Sequence, residues 1–197
     1  MKMLRFACVA AVAVACVGPG DAAETQGALA REGESQPRAK LALGESHGCL
    51  IGRWGAVSCW GRNDFGQLGD GSVIDRATAV AVAGLPAAVE VTAGATHTCA
   101  LLGDGTVRCW GDNSFGQVGD GTASMRVAPA AVYGLDHVTT LAAGTNHTCA
   151  IRTGGSVWCW GSNSSGALGV SSPVVAPTPV AVPNVTGAVA LAVGTGA

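Results

Sequence analysis

Charge is scarce in this chain: 12% of its 197 residues are Asp, Glu, Lys or Arg, about half the usual share of a soluble domain. Nine of the eleven basic residues are arginines, they are scattered, and the net charge is −2. Without a basic face the electrostatic footprint of a nucleic-acid binder is missing. Aromatic residues make up 5%, and only four histidines occur, three of them at positions that recur. His137 has no recurring partner, and neither a G-x-S-x-G elbow nor a phosphate-binding glycine loop is present. No catalytic set emerges, so an enzyme is not expected, and no cofactor is implied. Helical periodicity is absent, and the apolar run Phe6 to Val17 is too short to span a bilayer.

Glycine, by contrast, is plentiful, and it keeps time. Gly44, Gly94, Gly144 and Gly194 stand 50 residues apart. So do His47, His97 and His147, and the pairs Trp60-Gly61, Trp110-Gly111 and Trp160-Gly161. Self-similarity at this period means a structural unit stacked on copies of itself. In the copy from residue 138, strand-like runs occupy Val138 to Ala143, His147 to Ile151, Val157 to Gly161 and Pro179 to Val182. Four short strands per unit at this spacing predict an all-β chain of propeller blades. The blades fall at about 38–87, 88–137 and 138–187, with a partial copy at 188–197 and an extra strand over Gly187 to Val193. The sequence in hand stops inside that fourth copy, which leaves three readings open: a piece of a longer propeller, subunits completing one ring, or a broken reading frame.

The turn between the second and third strands carries a covalent expectation. Leu101-Leu102-Gly103-Asp104-Gly105-Thr106-Val107 reads as a hairpin, with Gly105 supplying a positive φ. Cys99 and Cys109 lie symmetrically about Asp104, so they face each other across the hairpin within disulfide reach. Cys49/Cys59 and Cys149/Cys159 share the spacing, which predicts three disulfides, one per repeat.

The segments Trp60-Gly-Arg-Asn-Asp-Phe-Gly-Gln-Leu-Gly69 and Trp110-Gly-Asp-Asn-Ser-Phe-Gly-Gln-Val-Gly119 resemble the core of the regulator of chromosome condensation repeat. Trp160-Gly-Ser-Asn-Ser-Ser-Gly-Ala-Leu-Gly169 keeps the frame with two departures, and Gly94 to His97 and Gly144 to His147 match the same family. The resemblance covers residues 38–197 and implies blades of a seven-bladed β-propeller, with a bacterial exported member as the expected kind. Family members include a nucleotide-exchange factor for the GTPase Ran, a plant ultraviolet photoreceptor and a secreted bacterial β-lactamase inhibitor. The exchange factor's wedge matches no position here. The photoreceptor's dense tryptophan cluster is missing, since Trp54 and Trp158 are the only tryptophans outside the repeated Trp-Gly pairs. Shared fold selects none of these functions.

Lys2 and Arg5 ahead of Phe6 to Val17 form a signal-peptide pattern over residues 1–23. Ala13-Val14-Ala15-Cys16 resembles a lipobox, with Cys16 the residue that would be acylated; cleavage after Ala22 or Ala23 without lipid is the rival. On either route the chain is expected in the cell envelope or outside the cell, where six paired cysteines are stable. Residues 24–37 are polar and aperiodic, and read as a flexible tether.

What recurs in every copy reads as architecture. The histidines beside cysteines are therefore structural, since a zinc site at His97, Cys99 and Cys109 would need a fourth ligand. Asp70-Gly-Ser and Asp120-Gly-Thr read as turns, because they lack the spaced carboxylates of a calcium loop. Phe65 and Phe115 are expected to pack between blades. Partner-binding candidates are sought where copies differ: Trp54 at a hairpin tip, Tyr133, and the loop arginines Arg76 and Arg126. These residues point to an exported protein-interaction scaffold with a protein partner, and an open blade edge adds self-association. A secreted enzyme inhibitor is the alternative; exchange on a small GTPase is disfavoured by the leader.

Overall fold

Short β-branched and apolar runs, cut by Gly, Asn and Pro, fold into strands too short to bury a face alone. In the computed structural model, which describes residues 40–194, the first blade holds β1 (Lys40–Leu43), β2 (His47–Ile51), β3 (Val57–Gly61) and β4 (Arg76–Ala81). The second holds β5 (Ala88–Ala93), β6 (His97–Leu102), β7 (Val107–Gly111) and β8 (Arg126–Ala131). The third holds β9 (Val138–Ala143), β10 (His147–Arg152), β11 (Val157–Ser162) and β12 (Val175–Ala181). Each group is a separate four-stranded antiparallel sheet in sequential order. The leader with Cys16, the tether and the last three residues lie outside the described residues.

Two boundaries differ from expectation. The fourth strand of blade 3 begins at Val175, ahead of Pro179, and carries both Pro177 and Pro179. An edge strand tolerates proline, and a register shift between Cys159 and Gly161 absorbs the extra residues. Residues 187–194 form no strand, although a strand was expected over Gly187 to Val193. The Ala188 N–H donates to Gly155 O at 3.0 Å, as the Val138 N–H donates to Gly105 O at 3.0 Å where β9 begins. The segment thus follows the course of β5 and β9. A ladder needs a second strand, and the counterpart of β6 and β10 would begin at position 197, past the described residues.

The core lies between the blades. One buried cluster joins Cys49, Ile51 and Leu68 of blade 1 to Val91, Ala100 and Trp110 of blade 2. The next joins Val107 and Val118 of blade 2 to Leu141, Ala150 and Trp160 of blade 3. Trp110 and Trp160 are fully buried; each withdraws on the order of 200 Å² from water, worth about 5 kcal/mol as an upper figure.

Strand direction sorts the connections into two ends. The β2–β3 hairpin and its equivalents share one end, here the hairpin end, with the linkers between blades. The turns at 44–46, 94–96 and 144–146 share the other, the loop end, with the long β3–β4, β7–β8 and β11–β12 connections.

Candidate functional site

The recurring residues build a lock between blades. His47 Nε2 lies 2.8 Å from the Thr98 hydroxyl of the next blade. That hydroxyl donates to Gln67 O at 2.9 Å, so His47 is the donor to it and carries its proton on Nε2. The Trp110 indole N–H donates to the same Gln67 O at 2.9 Å. Fifty residues on, His97, Thr148, Gln117 and Trp160 repeat the arrangement, with the histidine–threonine distance again 2.8 Å. Glycine at 94 is required by space: a Cβ there would collide with the His97 ring and the Gly144 carbonyl oxygen.

Burial depresses the imidazoles, His47 to about 4 and His97 to about 3, with the neighbouring histidines adding to the effect at His97. Burial lowers His147 too. His47 and His97 are therefore neutral lock parts at ordinary pH. The sulfurs beside them are joined as Cys49–Cys59, Cys99–Cys109 and Cys149–Cys159, each with Cα atoms 4.1 Å apart. All three pairs sit directly opposite in the β2–β3, β6–β7 and β10–β11 registers. Each closes a short loop, worth about 2–3 kcal/mol. Among the described residues no group of His, Cys, Asp or Glu is arranged to hold a metal ion.

The asparagine of the Trp-Gly motif folds the long loop. Asn63 Oδ1 accepts from the Leu68 N–H at 2.9 Å, and its Nδ2 donates to Ser72 O and Ile74 O. Asn113 does the same to Val118, Thr122 and Ser124. Asp70 and Asp120 close Asx turns onto Ser72 and Thr122. Arg76 donates to Asp70 Oδ2 at 2.9 Å, and Arg126 pairs with Asp120 at 2.5 Å. Burial alone would raise both carboxyls, but these hydrogen bonds outweigh it and hold them below the usual carboxylate range.

These contacts alter the reading of two candidates. Arg76 and Arg126 were expected as unrepeated loop residues. They are equivalent positions 50 apart, they open β4 and β8, and their guanidinium groups are tied into the loop. Trp54 stands 87% exposed in a single 3₁₀ turn at Arg53–Gly55, with a positive φ of 62°. Tyr133 is 70% exposed in the linker after β8. Trp54 and Tyr133 thus lie at the hairpin end, and Arg76 and Arg126 at the loop end, so the four do not converge on one site. Phe65 and Phe115 also differ from expectation: they are 37% and 41% exposed at the loop end rather than packed between blades. Their backbone N–H groups donate to Gln67 Oε1 and Gln117 Oε1, which turns their rings outward.

Sequence reasoning missed a second cluster at the hairpin end. Arg152 pairs with Asp136 and lies 5.4 Å from the Trp158 ring centroid. Asp136 also faces His137, which has a positive φ of 53° and donates Nδ1 toward it at 3.2 Å.

Comparison with known proteins agrees with the architecture. Residues 55–101, 104–151 and 154–196 match the family model described as the regulator of chromosome condensation (RCC1) repeat, and a second model of that description matches 88–117 and 138–167. Prp20p of Saccharomyces cerevisiae superposes with a TM-score of 0.64 at 23% identity, over 73% of this chain and 38% of that one. Human WBSCR16 superposes at 0.62 and 19% identity, over 72% and 38%. The chain therefore spans well under half of either structure. No curated protein sequence matches.

Proposed function

The chain belongs to the regulator of chromosome condensation repeat family, and from that premise we propose that it is an exported, non-enzymatic scaffold that binds a protein partner. One observation carries the reading: large side chains are exposed where the repeats differ, Trp54 foremost among them at 87% exposure. Its counterparts are Asp104 and Gly154, so the tryptophan serves no repeated structural need. An exposed tryptophan in a fixed backbone conformation has the character of an interface anchor. Three buried disulfides support an oxidising compartment, in line with the leader at residues 1–23 and with either acylation at Cys16 or simple secretion. Tyr133, Arg76 and Arg126 are proposed as further contacts on the two ends.

The test is photo-crosslinking in intact producing cells, with a photoreactive aromatic residue at position 54 or 133. A discrete adduct with an envelope or extracellular protein is expected. Absence of adducts from both positions, with the chain retained in the cytosol and its cysteines reduced, refutes the reading. Because Trp54 and Tyr133 lie at the same end, inhibition of a secreted enzyme is the second reading. A panel of hydrolases assayed with the purified chain decides it.

A further inference from the structure

The loop end of blade 1 departs from its sister blades at clustered positions. Where blade 2 has Ala95, Asp112, Ser114 and Met125, blade 1 has Glu45, Arg62, Asp64 and Asp75. All four blade 1 residues are exposed. Arg62 pairs with Asp64, and its guanidinium also feels Asp75 and Glu45, so one cation stands among three carboxylates. Asp70, a fourth acid nearby, is neutralised by Arg76. Beside this cluster Ile74 is 60% exposed, Val73 48% and Phe65 37%. Blade 2 has Ser124 and Ala123 at the first two of these positions.

A buried group points into the same place. Gln117 Nε2 in blade 2 donates to Asp112 Oδ2 at 2.9 Å. Gln67, its counterpart, is 1% exposed, and its Nε2 has no partner because position 62 holds an arginine. A buried amide donor without an acceptor is costly and uncommon. It faces position 62, which a carboxylate fills one blade further on and which in blade 1 carries the cation that stands among the three carboxylates.

From this arrangement we infer that the loop end of blade 1 is a docking site for a protein segment that combines basic and apolar side chains. Partner lysine or arginine side chains would pair with Glu45, Asp64 and Asp75. Apolar residues would cover Ile74, Val73 and Phe65, and a shift of the exposed Arg62 side chain would let a main-chain carbonyl accept from Gln67 Nε2. Charge complementarity selects this occupant: with Arg62 counted, the three carboxylates leave the cluster acidic. The inference rests on the interaction-scaffold reading and adds the surface and the chemistry of the partner.

The experiment is an NMR titration of the full ¹⁵N-labelled chain with a short peptide of alternating lysine and leucine. Glutamate–leucine and lysine–serine peptides of equal length serve as comparisons. Saturable shifts at Glu45, Asp64, Ile74 and the Gln67 side-chain amide are expected with the lysine–leucine peptide. The combined variant Glu45→Gln, Asp64→Asn, Ile74→Ser alters only exposed side chains and should weaken binding by about tenfold or more. Met125→Ser in blade 2 should leave affinity within about twofold, the range of an ordinary surface change. Equal binding of either comparison peptide, or no saturable binding, overturns the inference. Shifts confined to Trp54 and Tyr133 also overturn it while leaving the scaffold reading standing; absent crosslinks would remove that reading instead.

Discussion

Thr98 is the point at which two blades share one hydroxyl, so Thr98→Val tests the lock directly. Valine keeps the shape and removes only the oxygen. His47 Nε2–H, in a ring 5% exposed, then loses its acceptor at 2.8 Å. Gln67 O loses one of two donors but keeps the Trp110 indole at 2.9 Å. The orphaned imidazole N–H dominates, since stranding a buried donor costs about 1–3 kcal/mol, while the shared carbonyl loses about 1 kcal/mol or less. A total near 2–3 kcal/mol is expected, and at an m-value of about 2 kcal/mol per molar urea the midpoint should fall by about 1–1.5 M. Thr106→Val is the control: its hydroxyl donates to the exposed Asp104 carboxylate within its own turn and to no group of a neighbouring blade, and its loss should cost under about 1 kcal/mol. Equilibrium urea unfolding of the oxidised chain reads both. A Thr98→Val midpoint indistinguishable from that of the parent, or a larger loss at Thr106, would refute the lock as the tie between blades.

Acid should loosen the same contacts. An unfolded histidine titrates near 6.5, whereas His47 and His97 in the fold sit at about 4 and about 3. Below 6.5 the unfolded chain binds more protons, so stability falls as pH drops; linkage gives about 2 kcal/mol per ring between pH 8 and pH 5, or about 4 kcal/mol together. Unfolding free energies across that range check it, and a flat profile contradicts it. Gly94→Ala should cost about 3 kcal/mol, the upper range for forcing an atom into packed surroundings, because the added Cβ meets the His97 ring and Gly144 O. Gly103→Ala, whose nearest neighbour would be Val89 at 3.9 Å, should be near neutral when both variants are compared by thermal melt. Arg62→Asn offers Gln67 Nε2 an acceptor and gives up only an exposed ion pair with Asp64, so it should stabilise the chain by about 1 kcal/mol; a lowered melting temperature would show that the amide is not an unfilled donor.

Strand content and cysteine pairing were legible because both are local. A hairpin centred on Asp104 places Cys99 opposite Cys109 whatever surrounds it, and the register has that pair. Exposure of Trp54 followed from its place at a tip. The expected strand at Gly187 to Val193 shows the limit of local reasoning: its residues favour extension, yet a strand is defined by a partner. The lock was hidden for a related reason. His47 and Thr98 are 51 positions apart, and a repeat says that units stack without saying which atoms meet. Arg76 and Arg126 looked unrepeated because the third copy has Ala176 there, which masked their equivalence until the Asp70 and Asp120 pairs were seen. Phe65 and Phe115 are apolar and recurrent, so they looked internal; two backbone bonds to glutamine side chains decide otherwise.

Recurring and variable positions differ in what their polar atoms bond. His47, Thr98, Gln67 and Trp110 are used up by one another, so a ligand could engage them only by parting two blades. Gln67 belongs to both categories. Its carbonyl is consumed by the lock, while its side-chain amide faces position 62, where the copies carry Arg62, Asp112 and Ser162. A change at that one position converts a closed hydrogen-bond circuit into an open one without touching the blade contact behind it. Variation at such a position costs one buried amide its acceptor, about 1–3 kcal/mol, but leaves the lock and the disulfide behind it intact. That is why a repeat protein can diversify the loop end of one blade, as at Glu45, Asp64 and Asp75, and keep its stacking unchanged.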